Sequence, residues 1–399
     1  MKRIIQTELK YGAHNYNSLP VCFNKGKGIY LFDKNDKKYF DFLSCYSAVN
    51  QGHCHPKIIN ALKKQASNLT LTSRAFYNDK LGPYMQYITT IFDYDKVLPM
   101  NTGVEAGETA IKIARKWGYE EKGVTPNKAT ILFAENNFWG RTISACSSST
   151  DPSCYTNFGP FMKGMETIPY NNLSILEKKL ISNKDIVAIM LEPIQGEAGV
   201  IIPDEDYLFN VKKLCEKYNV LLIADEVQTG LGRTGKLLAC HHSKVKPDIL
   251  CLGKALSGGT LPISAVLADN HVMKCITPGT HGSTFGGNPL ACVVATESLN
   301  VIVTERLSKN AEIMGKLFRD SLRNYPKSFI KDIRGKGLMN AIEFKNKKIA
   351  NKVCVKLLSQ GILTKTTHDT ILRMSPPLTI NKSEMNEAIE RIKIVLNMS

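Results

Sequence analysis

The chain has 399 residues, is 43% hydrophobic and carries a formal net charge of +16, enough sequence for a large domain and a smaller one with an ample core. No apolar run reaches membrane-spanning length, so no membrane partner is expected. The lysines come in ones and twos, as at Lys63-Lys64 and Lys178-Lys179, which points away from nucleic acid and towards a solvated surface that attracts anionic substrates.

The opening MKRIIQTELKYG has no long apolar stretch and no Arg/Ser-rich leader pattern, so a cytoplasmic location is expected. Eleven cysteines without any CxxC read as reduced thiols, mostly small core residues. The cluster His53-Cys54-His55-Pro56 has no second ligand pair at zinc spacing and reads as an ordinary loop, so no metal is expected.

In chain order, residues 1–49 read as an N-terminal arm. GIYLFD and KYFDFL flank Asp33-Lys34-Asn35-Asp36, a hairpin signal. From 50 to 299 helical patterns alternate with apolar runs: VLPM (97–100), TILFA (130–134), VAIML (187–191), VLLIA (220–224), ILCL (249–252) and SAVLA (264–268). Such runs indicate a mainly parallel sheet covered on both faces. Five of them end in polar or Gly-rich segments, at Asn101-Thr102-Gly103, Glu135, Glu192-Pro193, Asp225-Glu226 and Gly253-Lys254. Ligands bind outside the carboxyl ends of strands in such sheets, so these ends define one crevice. Residues 300–399 read as a second unit, with strand–turn–strand at IRGKGLMNAIEF and a final helix opened by Asn381 and Glu384.

Three stretches could carry chemistry. GVEAGETAIKIARKWG (103–118) opens a helix straight after a turn, so its free amides can hold a phosphate, and Gly103 lets the backbone come close. Glu108 and Lys112 stand at i,i+4 spacing on its outer face. GLGRTGK (230–236) fits both GxGxxG and GxxxxGK. Leu237 follows where a P-loop needs Ser or Thr, and the acid precedes the glycines, so nucleotide binding is not expected. Asp225 and Lys254, on successive strand ends, match the needs of pyridoxal phosphate (PLP). That cofactor takes an amine for covalent attachment and a carboxylate for its ring nitrogen. A neighbouring cation is expected to lower the lysine pKa.

The segments FLSCYSAVNQGHCHPKI, MNTGVEAGETA, NNFWGRT, EPIQGEAGV, IADEVQTGLGRTG, LGKALSGG and HGSTFGGNP span the chain. On these the sequence resembles the class III PLP-dependent aminotransferases. The resemblance implies fold type I, an α/β architecture. A large domain with a mainly parallel seven-stranded sheet is joined by a smaller α+β domain from both termini. It implies that Lys254 carries the cofactor and moves a proton, that Asp225 pairs with the ring nitrogen, and that Gln228 contacts the ring oxygen. Phe138 would stack on the ring, and Gly103 and Val104 would bind its phosphate. Thr284 would reach the phosphate of a neighbouring subunit, which implies a homodimer with shared active sites. Arg141 and Arg373 would hold substrate carboxylates, with Glu197 covering Arg373 while ornithine is bound and releasing it for 2-oxoglutarate. Tyr16 and Tyr46 would hold the α-amino end, so that the δ-amine reacts. N-acetylornithine and 4-aminobutyrate are the alternative substrates. Tyr46 argues against the second, where the family places an aliphatic residue.

Overall fold

The computed structural model describes residues 2–323, 325 and 328–398. After an opening helix, Lys2–Tyr11, come three short strands: β1 (Phe23–Lys27), β2 (Tyr30–Asp33) and β3 (Lys38–Asp41), paired antiparallel in that order. The expected hairpin joins β2 to β3. Asp33 fixes its turn by accepting the amides of Asn35 and Lys37 at 2.8 and 3.1 Å, the local bonding that makes Asp a turn residue.

Seven strands build the central sheet: β4 (Lys96–Met100), β5 (Thr130–Ala134), β6 (Met165–Ile168), β7 (Ile186–Leu191), β8 (Leu221–Asp225), β9 (Ile249–Leu252) and β10 (Ser264–Ala268). Their order is β4-β10-β9-β8-β7-β5-β6. Only β10 runs against its neighbours. Six of the seven are the apolar runs of the sequence. The seventh, β6, is an edge strand, mostly half-buried, whose Glu166 pairs outward with Lys179 at 2.9 Å. An edge strand needs no apolar run, which is why none marks it.

Successive side chains of the inner strands point to opposite faces. Ile131, Phe133 and Ile223 pack with the helix Gly103–Glu120 on one face. Leu132, Ala134 and Leu222 pack with the helices Leu173–Ser182 and Tyr207–Lys217 on the other. Eight of the eleven cysteines are buried, and all are free thiols.

The C-terminal part adds β11 (Ile330–Lys336), β12 (Met339–Phe344), β13 (Ile362–Leu363), β14 (Thr366–Thr367) and β15 (Ile371–Met374). Four of these form the sheet β11-β12-β15-β14, while β13 pairs parallel with β3. The two ends of the chain thus share one unit. The final helix, Lys382–Asn397, starts with the expected reciprocal cap between Asn381 and Glu384. A division at residue 300 falls inside the helix Pro289–Thr304, so the chain passes from one unit to the next without a loop there.

Gly315, in the helix Leu307–Arg323, lies so close to the β11–β12 turn that a Cβ would sit 1.6 Å from the Gly337 carbonyl oxygen. Gly315→Ala must therefore push the helix off the small sheet. We expect a loss of about 3 kcal/mol of stability, read as a lower urea midpoint; an unchanged midpoint would contradict this packing.

Candidate active site

The carboxyl ends of the central strands converge on a cavity of about 120 Å³ lined by Gly103, Val104, Phe138, Glu192, Asp225, Gln228 and Lys254. Asp225 is the last residue of β8, and Lys254 stands two residues beyond β9. Lys254 has a positive φ of 45°, a strained conformation for a residue with a Cβ, of the kind that collects at functional sites. Its amine forms no hydrogen bond or ion pair among the described residues. Burial foremost pulls it from 10.5 down to about 8; Glu197 and Asp225 oppose the shift and Arg373 reinforces it. The cause is therefore mainly desolvation, with the neighbouring cation secondary.

Asp225 is buried but for its face on the cavity, and burial pushes its carboxyl up to about 6 against the Val227 amide and Lys254. Oδ1 accepts that amide at 3.0 Å, and Oδ2 accepts nothing among the described residues. A cation brought into the cavity would restore the charged form.

Across the cavity, the helix Gly103–Glu120 begins with a closed cap. Glu105 accepts the Thr102 amide at 2.7 Å and Thr102 Oγ1 accepts the Glu105 amide at 3.3 Å. This leaves the Gly103 and Val104 amides without an acceptor among the described residues, at the positive end of an 18-residue helix. Gly103 is required there because a Cβ would meet Val227 Cγ1 at 2.9 Å. The expected Glu108–Lys112 pair does not form. Glu108 accepts from Thr142 Oγ1 at 2.9 Å, and Lys112 turns to His281 Nδ1 at 2.8 Å. Both ions find better-placed partners off the helix, on the loops that carry Arg141 and Thr284. Thr284 itself is exposed.

Glu192 is the residue whose importance the sequence did not reveal. It follows β7, is fully buried, and accepts the amides of Phe138 and Gly196, each at 3.0 Å. Burial, then Asp225, push it up to about 8. It fixes the Phe138 backbone at the cavity wall, and the only signal was an acid at a strand end.

A second group lies where the small sheet meets the cavity. Arg373, on β15, is 1% exposed; its Nη1 donates to Glu197 Oε1 at 2.7 Å and its Nη2 to Gln228 Oε1 at 2.8 Å. Gln228 Nε2 also donates to Glu197 Oε1 at 2.8 Å, closing a three-membered ring. The Tyr46 ring lies 5.2 Å from the Arg373 guanidinium, within cation–π reach. Burial and then Glu197 raise the Tyr46 phenol. Arg141 is exposed, 5.6 Å from the Phe138 ring, and pairs with no carboxylate among the described residues. Tyr16, 77% exposed, stands outside the packed group.

GLGRTGK is taken up by packing and backbone hydrogen bonds. Gly232 and Gly235 pack against Leu378 and Glu312, and Arg233, fully buried, donates to the carbonyls of Leu338 and Pro376 and to Asn50 Oδ1. No group of three or more His, Cys, Asp or Glu among the described residues could hold a metal ion, and no described helix is long and apolar enough to cross a membrane. An unpaired amine, an unpaired carboxylate oxygen and two unpaired helix-start amides, all among the described residues around one small cavity, fit PLP.

The family profile Aminotransferase class-III matches residues 11–396. Ornithine aminotransferase, mitochondrial, of Drosophila melanogaster is 59% identical over 98% of this chain and 91% of its own. The crystal structure of ornithine aminotransferase from Toxoplasma gondii superposes with a TM-score of 0.98 at 50% identity, covering 100% of this chain and 95% of its own. That of acetylornithine aminotransferase from Elizabethkingia anophelis superposes at 0.92 with 49% identity, covering 100% and 99%. The expected cytoplasmic location is overturned, because relatives from fly, worm and rat are named mitochondrial, although Plasmodium relatives carry no such word. Matched along nearly its whole length, with its lysine and aspartate at the strand ends, the chain belongs to the class III aminotransferases.

Proposed function

We propose that this chain transfers the δ-amino group of L-ornithine to 2-oxoglutarate, giving glutamate-5-semialdehyde and L-glutamate, with PLP as cofactor. The observation that carries the reading is that Glu197 neutralises Arg373 beneath Tyr46 while Arg141 stays unpaired. An amino acid presenting a distal amine then has one arginine for its carboxylate and an uncharged end for its amine. A dicarboxylate needs both arginines, and Glu197 must withdraw.

Bound in the cavity, PLP supplies the electron sink for amine transfer. Lys254 would hold it and move the proton at the carbon that carries the transferred amine, a task suited to an amine poised near neutrality. Asp225 would keep the ring nitrogen protonated, Gly103 and Val104 amides would receive the phosphate, and Phe138 would cover the ring. Gln228, held by Arg373 and Glu197 here, would exchange part of that bonding for the ring oxygen.

We read the active form as a homodimer. Phe76, Tyr77 and Phe285 are 70%, 105% and 56% exposed. Their loops adjoin, since Gly287 packs against Leu81 and Arg74. Exposed apolar side chains gathered beside a site mark an interface, and Thr284 lies among them. Sedimentation of the holoenzyme should give twice the 44.4 kDa chain mass.

N-acetylornithine is the second reading, favoured by the Elizabethkingia anophelis structure. Purified holoenzyme should turn over ornithine faster than N-acetylornithine or 4-aminobutyrate; faster turnover of the acetylated compound would reassign the substrate. Glu197→Ala should uncover Arg373 and raise the rate with glutamate relative to ornithine by about tenfold or more. An unchanged ratio would remove Glu197 from substrate selection. Because Lys254 is held near 8, its neutral fraction rises with pH, reaches half at about 8 and levels roughly one to two units above. The rate at which cofactor-free protein gains visible absorbance on mixing with PLP should follow that curve. A rise continuing to 10.5 would mark a solvent-like lysine.

A further inference from the structure

Tyr46 sits in an unusual stretch of backbone. Ser44, Cys45, Tyr46 and Ser47 have φ of 49°, 46°, 57° and 74°, four successive non-glycine residues in the left-handed region. Residues with a Cβ avoid this region, and they stay there only where the surroundings hold them. The sequence SCYS contains no glycine or asparagine to make it easier.

What holds it is Asp41. Its Oδ1 accepts the amides of Leu43 and Ser44 at 2.9 and 2.8 Å, which turns the chain at the end of β3. Its Oδ2 faces His53 Nε2 at 2.8 Å. The Asp41 side chain is 4% exposed and that of His53 12%, so neither oxygen is left to water. On the other side, Ser44 Oγ donates to the Ser375 carbonyl at 2.7 Å, and the Ser375 amide donates to the Phe42 carbonyl at 2.8 Å. Ser375 stands two residues beyond Arg373. The turn that carries Tyr46 is therefore tied at one end to the strand that carries Arg373 and at the other to a buried carboxylate–imidazole pair. His53 is backed in turn by the paired backbones of Gly28 and His53.

We propose that His53, acting through Asp41, is a positioning residue for substrate selection. The pair keeps the left-handed turn closed and so keeps Tyr46 over Arg373, which decides how the α-amino end of a diamino acid is received. The proposal rests on the substrate reading given above. Removing His53 leaves Asp41 Oδ2 buried and without its donor. The carboxylate is then no longer fixed for the two amides, and the turn can relax to ordinary backbone, moving Tyr46. Glutamine at 53 can place an amide N–H near the same point, because its Nε2 reaches about as far as that of histidine.

The test uses holoenzymes of His53→Leu, His53→Gln, Tyr46→Ile and the double variant His53→Leu/Tyr46→Ile, each assayed for kcat/KM on ornithine and on 4-aminobutyrate. Cofactor content is read from visible absorbance. In His53→Leu the ornithine to 4-aminobutyrate ratio should fall about tenfold or more with absorbance kept. His53→Gln should recover most of it. The double variant should be no less selective than Tyr46→Ile alone, because both changes act through one side chain. A ratio unchanged in His53→Leu but lowered in Tyr46→Ile overturns the role of His53 while leaving the substrate reading intact. A ratio unchanged in Tyr46→Ile overturns the substrate reading itself. Independent, additive losses in the double variant, or equal losses on both substrates, make His53 merely structural. Should His53→Leu not fold, Asp41→Asn replaces it in the same comparison, with the same outcomes deciding.

Discussion

The site depends on one amine being partly withdrawn from water and left unpaired. A lysine at the mouth of a strand would ordinarily sit in water and stay charged. Lys254 is half-buried at the cavity, and its depressed pKa follows from that burial more than from any neighbour. Three carboxylates, Glu197, Asp225 and Glu192, pull the other way, and none forms an ion pair with it among the described residues. Parallel pairing of β8 and β9 places Asp225 opposite Cys251, three residues short of Lys254. This register brings the acid into the same cavity without letting it close on the amine. Had it closed, the lysine would be locked in its protonated form and lost as a nucleophile.

A second constraint ties this chemistry to the small sheet. Arg233 is a buried guanidinium whose acceptors are all neutral: two carbonyls beyond the central sheet and the Asn50 side chain. Asn50 also donates to the Leu231 carbonyl, and its own carbonyl accepts the Leu378 amide. Next to it, Gln51 reaches the Ala255 carbonyl, one residue past Lys254. Three stretches distant in sequence, around residues 50, 233 and 376, are thereby joined at the back of the site. One of them leads to Tyr46, one to Gln228 and one to Arg373. The geometry of the selective groups is inherited from this junction, which explains why the glycine-rich segment is so thoroughly buried.

What could be read in advance follows the range of the forces involved. The inner strands were legible because burial on both faces leaves a continuous apolar run, and the terminal cap because its signal spans only three residues. β6 was not, since an edge strand can alternate. The Glu108–Lys112 spacing misled because surface ions take whichever partner is nearest in three dimensions, and His281 and Thr142 come from other loops. Lys254 and Asp225 could be paired from their positions at strand ends. The left-handed turn at Ser44–Ser47 could not. Its residues carry no local preference for that conformation, and Asp41, His53 and Ser375 impose it from three places in the chain. Glu192 escaped for a related reason, since an acid after a strand looks the same whether it faces water or a cavity.

The proposed exchange of substrates also has a direction built into it. Arg373 is 1% exposed, donates to Gln228 as well as to Glu197, and lies against Tyr46. Glu197 has a side chain 26% exposed and shares one oxygen between its two donors. Moving the arginine would strand a buried charge, at a cost of about 3–5 kcal/mol. Moving the glutamate returns a carboxylate to water, and an incoming carboxylate restores the pairing at Arg373. The mobile partner must therefore be Glu197. Gln228 touches both members of the pair and also lines the cavity, so under the proposed reading a change at the substrate carboxylate would be passed to the cofactor through a single amide side chain.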